Sequence, residues 1–525
     1  MSETMGDWPT TIPAAAQGAA ERWPNKIAII EGDRSWTFAQ LWDDARACAS
    51  ACIESGMSSG DTFAIWAPNS RAWIVAALGA QIVGGRLVPL NTRFKGAEAH
   101  DILKRAEVKL LFTVGSFLGA DYRAMLAGLD LPQLRDMVLL EDLEAFMALG
   151  RGAQDPRVAA AIEDVKPDDI SDIIFTSGTT GAPKGALSAH GQVTQTFGDW
   201  ARRVDLRHGD RYLIVNPFFH TFGYKAGWVT CLLLGATIVP MATFDVAEVV
   251  RQIETNRINF IPGPPTIYEC LLAELAGDKP RDFSSLRVAV TGAAPVAPAL
   301  VDRMRNELGM QNVVNGYGMT ECGVITMTRI GDDPDTVAQT CGFPMPGMEI
   351  RCVDDAGADV PVGESGEILV RSFAVMRGYL NDPAATKEAI DADGWLHTGD
   401  VGALDERGYL RITDRKKDVY ISGGFNCYPA EVEKLLAAHP AIEVAAVIGV
   451  PDQRMGEVGK AFVILRPGRT AEPAEIITWA RENMANFKAP RSVEIVTELP
   501  RNAFGKVLRI ELRRRELAKA EKDTV

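Results

Sequence analysis

Several common signatures are missing from this 525-residue sequence, and each absence narrows the class of protein. Its eight cysteines include no C-x-x-C pair and no Cys/His cluster with zinc spacing, so reduced, buried thiols are expected. Cys48 and Cys52 are predicted to share one helix face. Positive charge is not in excess either, because 55 Lys and Arg face 69 Asp and Glu for a net charge of −14. This balance argues against a general nucleic-acid or anionic-membrane surface.

Long hydrophobic runs and a secretory leader are also lacking. Residues 1–13 contain acidic side chains and no apolar core, so we predict no secretory signal and a cytoplasmic protein. Residues 226–244 are uncharged for nineteen positions, which just reaches the length of a membrane span, but Gly235 and Pro240 interrupt them. A buried helix, a Gly-Ala turn and a strand over 237–240 are favoured over a membrane helix.

Short apolar runs alternate with helical stretches along much of the chain. Helices are predicted at 72–82 and 246–255, and the alternation indicates α/β layers with largely parallel sheets. The β-like runs are 63–66, 110–113, 173–176, 212–215 and 288–291.

The length of the chain calls for two or more domains. From Ile350 onward, short strands and turns predict a small β-rich subdomain. From Pro429 the order helix, strand, strand, helix, strand, helix predicts an α+β module of about a hundred residues. We therefore predict a large N-terminal domain over 1–414, a hinge at 415–418 and a mobile C-terminal domain over 419–525. The basic run at 415–417 would, alone, be typical of a solvated loop.

The most informative run is T-S-G-T-T-G-A-P-K-G at residues 176–185, between an apolar strand and a helix. Its hydroxyls are hydrogen-bond donors, its glycines let backbone N–H groups turn toward an anion, and Lys184 adds a positive charge. Gly185 follows that lysine, so the run is not the P-loop of kinases and GTPases. A nucleotide-binding loop is predicted, with a plain Gly/Ser/Thr turn as the alternative.

Four further runs follow in a fixed order: N-G-Y-G-M-T-E at 315–321, T-G-D at 398–400, T-D-R-K-K-D at 413–418 and P-R-N-A-F-G-K at 500–506. Together with 176–185 they resemble the core motifs of the adenylate-forming superfamily of acyl-CoA synthetases, peptide-synthetase adenylation domains and luciferases. The resemblance covers roughly residues 10–515. It implies an ATP-dependent carboxylic acid:CoA ligase that requires ATP, Mg²⁺ and CoA.

The resemblance also implies roles for individual residues. Lys506 would be catalytic, bridging the carboxylate and the α-phosphate, and Thr320 would donate to the α-phosphate. Glu321, together with Thr176, would hold Mg²⁺, although a Thr-Glu pair alone is typical of a helix cap. The implied ATP-binding residues are Thr176, Ser177, Gly178, Thr179, Thr180, Gly181, Lys184, Gly292, Ala293, Ala294, Asn315, Gly316, Tyr317, Gly318, Met319, Thr320, Asp400, Arg415 and Lys506.

Within that set, Tyr317 would lie on the adenine face, and Asp400 with Arg415 would bind the ribose. Ser422, Gly423 and Gly424 would contact CoA after a rotation of the C-terminal domain about Lys417.

The acyl pocket is expected in the aromatic and proline-rich segments 216–227 and 262–268, which suit an apolar acyl group. The implied lining residues are Phe219, His220, Tyr224, Gly292 and Gly316. His220 is predicted to be a pocket gate rather than a base, with a buried structural histidine as the alternative. Together with the run G-G-F-N-C-Y-P at 423–429, these segments resemble ligases that activate a bicyclic, steroid-derived indane propanoate. Cys427 departs from the aliphatic residue that is usual at its position.

Other functions remain open at this point. A medium-chain fatty or aryl acid could replace the bicyclic acid, or a stand-alone adenylation enzyme could load a carrier protein. A nucleotide-binding protein that has lost catalysis is disfavoured by Lys184, Glu321 and Lys506 occurring together. A small-molecule acid, ATP and CoA are the expected partners, with a homodimer possible and nucleic acid not expected.

Overall fold

The computed structural model describes residues 4–176, 183–292, 296–415, 418–422, 425–452, 455–484, 486–501 and 507–522. The chain divides into two compact units. The first unit comprises Met1–Ile350, Val370–Leu396 and Gly408–Leu410, and the second comprises Arg351–Leu369, His397–Arg407 and Arg411–Val525. Of the β-rich region after Ile350, the segments Arg351–Leu369 and His397–Arg407 are grouped with the C-terminal module, and Val370–Leu396 is grouped with the first unit. The hinge at 415–418 stays a prediction.

The strands, in chain order, are β1 (Ile27–Glu31), β2 (Arg34–Thr37), β3 (Thr62–Trp66), β4 (Arg86–Pro89), β5 (Val108–Thr113), β6 (Ser116–Phe117), β7 (Ala120–Asp121), β8 (Asp136–Leu139), β9 (Ile170–Thr176), β10 (Lys184–Ala189), β11 (Arg211–Ile214), β12 (Thr237–Pro240), β13 (Phe260–Pro262), β14 (Val288–Gly292), β15 (Asn312–Met319), β16 (Gly323–Met327), β17 (Phe343–Pro344), β18 (Met348–Val353), β19 (Gly366–Ser372), β20 (Leu396–Leu404), β21 (Leu410–Arg415), β22 (Tyr420–Ser422), β23 (Phe425–Cys427), β24 (Ile442–Asp452), β25 (Gly456–Leu465) and β26 (Ser492–Ile495).

The α-helices are α1 (Ile12–Arg22), α2 (Phe38–Glu54), α3 (Arg71–Ile82), α4 (Gly96–Arg105), α5 (Tyr122–Leu126), α6 (Leu143–Met147), α7 (Pro156–Asp164), α8 (His190–Arg203), α9 (Thr221–Gly223), α10 (Thr230–Leu234), α11 (Val246–Asn256), α12 (Pro265–Leu275), α13 (Pro298–Asn306), α14 (Pro334–Gln339), α15 (Pro383–Ala389), α16 (Pro429–Leu436), α17 (Pro473–Asn483) and α18 (Arg509–Lys522). A 3₁₀ turn covers Leu140–Asp142, and a π-helical segment covers Tyr224–Val229.

Two sheets organise the first unit. One has nine strands in the order β17-β16-β15-β14-β13-β11-β12-β1-β2, and the other has six in the order β10-β9-β4-β3-β5-β8. Their central pairs are parallel. Antiparallel strands lie at both ends of the first sheet, namely β16, β17 and β2, and at one end of the second, namely β10, whereas β8 joins the other end in parallel. Parallel strands are covered on both faces, so they carry continuous apolar runs. All five residues of β3 are buried, as this requires.

Smaller sheets build the rest of the chain. The order β18-β19-β20-β21 forms a four-stranded sheet, and β6 pairs with β7. In the second unit β23-β22-β25-β24 form one sheet, to which β26 adds in parallel beside β25. Its core contains Tyr420, Val432, Ile442, Val463 and Ile476, each at most 1% exposed. The predicted α/β class and the helix and strand order after Pro429 are confirmed.

The uncharged run at 226–244 is not a continuous helix. The π-helical segment and α10 end at Gly235, which adopts φ +72°, and β12 then enters the nine-stranded sheet. A positive φ favours glycine because it has no Cβ to clash with the backbone. The prediction of helix, turn and strand is therefore confirmed. No helix within the described residues is long and apolar enough to cross a membrane.

All eight cysteines are free thiols, and Cys48 and Cys52 are buried together on α2 as predicted. Cys270 and Cys341 are only partly buried, which corrects the expectation that every thiol lies in the core. Burial raises the pKa of the Cys322 thiol to about 12, so this neighbour of Glu321 stays protonated.

Candidate active site

The predicted phosphate loop lies between two paired strands. Thr176 ends β9, Lys184 begins β10, and the two residues face each other in the antiparallel register. The Thr176 hydroxyl is 3.4 Å from the Lys184 carbonyl oxygen. The loop residues Ser177, Gly178, Thr179, Thr180 and Gly181 lie outside the described residues. The strands thus fix where the loop starts and ends.

Glu321 lies in the turn between β15 and β16, so Thr320-Glu321 is a hairpin turn and not a helix cap. The turn closes with a hydrogen bond from Cys322 N to Met319 O at 3.2 Å, and Gly323 adopts φ +73°. Such a left-handed glycine at the end of a short hairpin loop is common. The Glu321 side chain is 8% exposed, and Thr176 Oγ1 donates to its Oε1 over a long 3.4 Å contact. The two predicted metal ligands are therefore neighbours.

Tyr379 is a third member of this group, and no sequence motif indicated it. Its hydroxyl donates to Glu321 Oε1 at 3.0 Å, and Lys184 Nζ lies 5.3 Å from the centre of its ring. Burial, with Glu321 next in effect, raises the pKa of Tyr379 well above its usual value. The phenol therefore stays a neutral donor at physiological pH.

The backbone around Tyr379 is held in place on two sides. Residues 377–380 run along the free edge of β10, where Leu187 N donates to Gly378 O at 3.0 Å and Leu380 N donates to Gly185 O at 2.8 Å. Met376 N donates to the Glu321 carbonyl oxygen at 2.7 Å. One short segment therefore joins the edge of the six-stranded sheet to the Glu321 turn.

Two glycines face each other in the nine-stranded sheet, and we call the side-chain-free backbone at this pair the slot. Gly292, at the end of β14, pairs with Gly316 on β15. A Cβ at Gly292 would lie 3.1 Å from the Gly316 carbonyl oxygen, and one at Gly316 would lie 2.6 Å from Met327 Cε. Only glycine fits at Gly316 without displacing its neighbours, and a flat group can approach this backbone closely.

Further members of the predicted nucleotide set lie next to Gly316 on β15. Tyr317 and Gly318 follow Gly316 on β15 and are partly or fully exposed, whereas Ala293 and Ala294 lie outside the described residues. Asn315 is 7% exposed, and its amide nitrogen donates to Thr340 O at 2.9 Å and to Val337 O at 3.2 Å. In the structure that amide group anchors the chain after α14.

The start of the predicted acyl-pocket segment 216–227 is held in place by Asn69. The Asn69 amide donates to Asn216 O at 2.9 Å and its oxygen accepts from Phe218 N at 2.7 Å. Phe219 is 9% exposed. Tyr224 has no exposed surface, and its hydroxyl accepts from Gln81 Nε2 at 2.8 Å. This bond holds the Tyr224 ring in place, and its contact with an acyl group stays a prediction.

His220 caps the first turn of α9, since its Nδ1 accepts from Phe222 N at 3.3 Å. More than a third of the residue's surface is accessible. Desolvation of the ring by surrounding protein atoms, with Lys225 adding repulsion, lowers the pKa of His220 to about 4. The imidazole is neutral at pH 7.

A buried ion pair lies behind this wall, and sequence reasoning missed it. Lys225 Nζ is 2.8 Å from Asp172 Oδ1, and the two side chains are 3% and 0% exposed. Lys225 also donates to Ser188 Oγ at 2.8 Å, and Ser171 Oγ donates to Asp172 Oδ2 at 2.8 Å. The pair connects the π-helical segment to β9, the strand that leads into the phosphate loop.

The remaining predicted residues belong to the second unit. Asp400 lies on β20 with 7% exposure, after Gly399 with φ +67°. Ser422, on β22, is 1% exposed and its hydroxyl makes no hydrogen bond with the described residues. The Arg415 side chain, Lys417, Gly423, Gly424 and Lys506 lie outside the described residues.

Both flanks of Lys417 are anchored within the second unit. Ala430 N, at the start of α16, donates to Asp414 Oδ2 at 2.8 Å. Asp418 forms ion pairs with Arg509 and Arg513 of α18, each at 3.2 Å. Fixed carboxylates therefore stand on either side of the predicted hinge.

Comparison with known proteins gives a consistent result. The profile described as AMP-binding enzyme matches residues 16–380, and the profile described as AMP-binding enzyme C-terminal domain matches residues 431–506. A 3-[(3aS,4S,7aS)-7a-methyl-1,5-dioxo-octahydro-1H-inden-4-yl]propanoyl:CoA ligase from Mycobacterium tuberculosis is 51% identical, over 96% of this chain and 98% of the relative. The ligase of the same name from Rhodococcus jostii is 48% identical, over 97% and 99%. The crystal structure of the anthranilate CoA ligase AuaEII in complex with anthranoyl-AMP aligns with TM-score 0.84 and 29% identity, over 97% of this chain and 98% of that chain.

Proposed function

Because this chain belongs to the AMP-binding enzyme family and is an acid–thiol ligase, we propose that it uses ATP to join a bulky alicyclic propanoate to CoA. The choice of substrate rests on the 48–51% identity, over nearly the whole chain, to two ligases named for the methyl-dioxo-octahydro-indenyl propanoate. The segments 216–224 and 262–268 support it, because buried aromatic and proline residues make rigid walls.

The reaction has two steps. A carboxylate oxygen attacks the α-phosphorus of ATP, so pyrophosphate leaves and the acyl-adenylate forms. The CoA thiolate then attacks the acyl carbon, and AMP leaves. Negative charge accumulates on phosphate oxygens in the first step, and fixed positive groups and dipoles stabilise such charge. Lys184, at the end of the phosphate loop, would supply one.

The residues beside the loop fit a magnesium ion. Mg²⁺ prefers hard oxygen ligands and is usually bound by one or two carboxylates together with substrate phosphates. The Glu321 carboxylate and the Thr176 hydroxyl are such oxygens and lie 3.4 Å apart. When bound, the ion would neutralise phosphate charge. Among the described residues no group of three or more His, Cys, Asp or Glu could hold a metal alone, so phosphates would complete the set.

The adenosine part would occupy the slot at Gly292 and Gly316, with Tyr317 against the base. Asp400 and Arg415 remain the proposed ribose ligands, Thr320 the α-phosphate donor, and Ser422 with Gly423 and Gly424 the CoA contacts. Lys506 is proposed to bridge carboxylate and α-phosphate, which requires the C-terminal domain to change orientation about Lys417 between the two steps.

The substrate proposal predicts a preference for a rigid acid. Rigid walls favour a rigid ligand, because neither loses much conformational freedom on binding and the carboxylate is then well positioned. We expect kcat/KM for the indane propanoate to exceed that for octanoate, palmitate and benzoate by at least about tenfold, equivalent to about 1.4 kcal/mol in the transition state. Pyrophosphate release with each acid, with and without CoA, measures this.

Two results would contradict the proposal at different levels. Palmitate preferred by about tenfold would overturn the bicyclic acid and leave the ligase intact. Adenylation without any thioester from free CoA would favour an enzyme that loads a carrier protein.

A second prediction concerns the role of His220. Because its pKa is about 4, its charge does not change between pH 5.5 and 8, and a gate needs no proton transfer. His220→Asn keeps an acceptor for the Phe222 N–H and should leave the shape of the kcat/KM–pH profile unchanged over that range. Loss in the variant of an acid limb near pH 6.5 would instead identify His220 as a base.

A further inference from the structure

Lys184 and Glu321 have opposite charges and share one neighbour, yet they do not pair with each other. Within the described residues Lys184 makes no ion pair, and Glu321 accepts hydrogen bonds only at Oε1, from Tyr379 and Thr176. Its Oε2 accepts none from the same part of the chain. Oε2 is not among the buried oxygens that lack a partner, so it is open to solvent and to a ligand.

Tyr379 contacts both charged groups. Its hydroxyl holds Glu321 Oε1 at 3.0 Å, and its ring faces the Lys184 ammonium at 5.3 Å, a cation–π distance. The residue itself is fixed, because Tyr379 N donates to Thr386 Oγ1 at 2.9 Å and the adjoining backbone is bonded to β10. The phenol can therefore impose an orientation on its partners.

We propose that Tyr379 is a positioning residue of the magnesium–phosphate site, orienting the Glu321 carboxylate and keeping it from pairing with Lys184. The proposal rests on the proposed function, since it assigns Glu321 to the metal and Lys184 to the phosphates. Binding one oxygen of Glu321 leaves Oε2 for the metal. The neutral ring does not neutralise the ammonium, so its charge and its remaining donors are available to phosphate oxygens.

Two variants separate the two roles. Tyr379→Phe removes the hydroxyl and retains the ring, so Glu321 loses its orientation while Lys184 keeps its contact. Partners that orient metal ligands typically change metal affinity by about 10–100-fold. We expect Tyr379→Phe to weaken Mn²⁺ binding to the ATP complex by about tenfold, and added Mg²⁺ to restore part of the adenylation rate. Tyr379→Leu should in addition raise the Kd for ATP measured without divalent metal, because Lys184 can then pair with Glu321.

The experiment measures Mn²⁺ binding by electron paramagnetic resonance and ATP binding by calorimetry on the full chain, together with thermal unfolding of each variant. Tyr409→Phe is the matched control, because Tyr409 also donates to a carboxylate, Asp332, at 2.9 Å. That control should leave both affinities unchanged, and KM for the acid should stay within about twofold in Tyr379→Phe.

The outcomes separate this proposal from the proposed function. Wild-type Mn²⁺ affinity in a folded Tyr379→Phe variant, with adenylation intact, would overturn the role of Tyr379 alone. An equal loss of Mn²⁺ affinity in Tyr409→Phe would also overturn it, since the effect would then not be local. A wild-type chain that binds neither ATP nor Mn²⁺–ATP and releases no pyrophosphate would overturn both proposals.

Discussion

Replacing Lys506 with alanine should slow formation of the acyl-adenylate by about 100-fold or more, the usual effect of removing a key electrostatic group. The proposed role of Lys506 is to balance charge that appears between the carboxylate and the α-phosphate only as the bond forms. An interaction made only in the transition state affects the rate of that step and little else. Transfer of the acyl group from supplied acyl-adenylate to CoA should therefore stay within a few-fold of wild type.

The two half-reactions are measured separately, by pyrophosphate exchange with the acid and by thioester formation from synthetic acyl-adenylate. Lys519→Ala is the matched control, since Lys519 belongs to the same unit and its exposed side chain makes ion pairs with Glu494 and Glu516. It should change neither rate. A folded Lys506→Ala variant with both half-reactions reduced equally would contradict the assigned role.

The sequence was most informative where local pattern and burial agree. Parallel strands covered on both faces need continuous apolar runs, so the predicted run at 173–176 lies within β9 and the run at 63–66 lies within β3. The helix predicted at 72–82 is α3, whose N-cap Ser70 accepts from Trp73 N at 3.2 Å. Each of these features depends on neighbours in the chain, which a sequence pattern records.

The π-helical segment at Tyr224–Val229 is a feature that such sequence patterns do not predict. The Ala226 carbonyl oxygen accepts from Tyr212 OH at 3.0 Å and from Thr230 Oγ1 at 2.8 Å. Thr230 Oγ1 also donates to Gly227 O at 2.7 Å. These hydrogen bonds satisfy carbonyl oxygens that would accept from backbone N–H groups in a regular α-helix. One of the donors, Tyr212, lies on β11, twelve or more residues earlier in the chain. A helical pattern alone cannot distinguish this arrangement.

Only some residues of the candidate site could be predicted from the sequence, for a related reason. Thr176, Lys184 and Glu321 belong to runs with a recognisable composition, and the structure places them together. Tyr379 reaches the same place because residues 377–380 run along β10, about 190 positions earlier in the chain. Nothing in the composition around Tyr379 records that pairing.

The buried pair of Lys225 and Asp172 could not be predicted from the sequence either. This pair leads to the second large prediction. Removing one member of a buried ion pair leaves an uncompensated charge in the interior, which typically costs about 3–5 kcal/mol. Both side chains are at most 3% exposed. Lys225→Met is therefore expected to lower the free energy of unfolding of the first unit by about that amount.

A double variant tests whether the cost comes from the unpaired charge. Asp172→Asn keeps an acceptor for the Ser171 hydroxyl while removing the negative charge. In Lys225→Met with Asp172→Asn no charge is left unpaired, so the double variant should be less destabilised than the sum of the two single variants. Replacing a buried pair by neutral groups is often close to neutral in stability.

Denaturant unfolding followed by tryptophan fluorescence isolates the relevant transition, because nine of the ten tryptophans belong to the first unit. Lys104→Met is the matched control, since Lys104 pairs with Asp130 on the surface with 50% and 74% exposure. An exposed pair contributes about 0–1 kcal/mol. Equal decreases in the free energy of unfolding for Lys104→Met and Lys225→Met would mean that burial of the pair does not determine how much its removal destabilises the protein. A larger decrease in the free energy of unfolding for Lys225→Met would mean that the buried ion pair holds β9, the strand that enters the phosphate loop, to the segment that contains His220. Weakening that pair should then raise KM for the acid as well as lower stability.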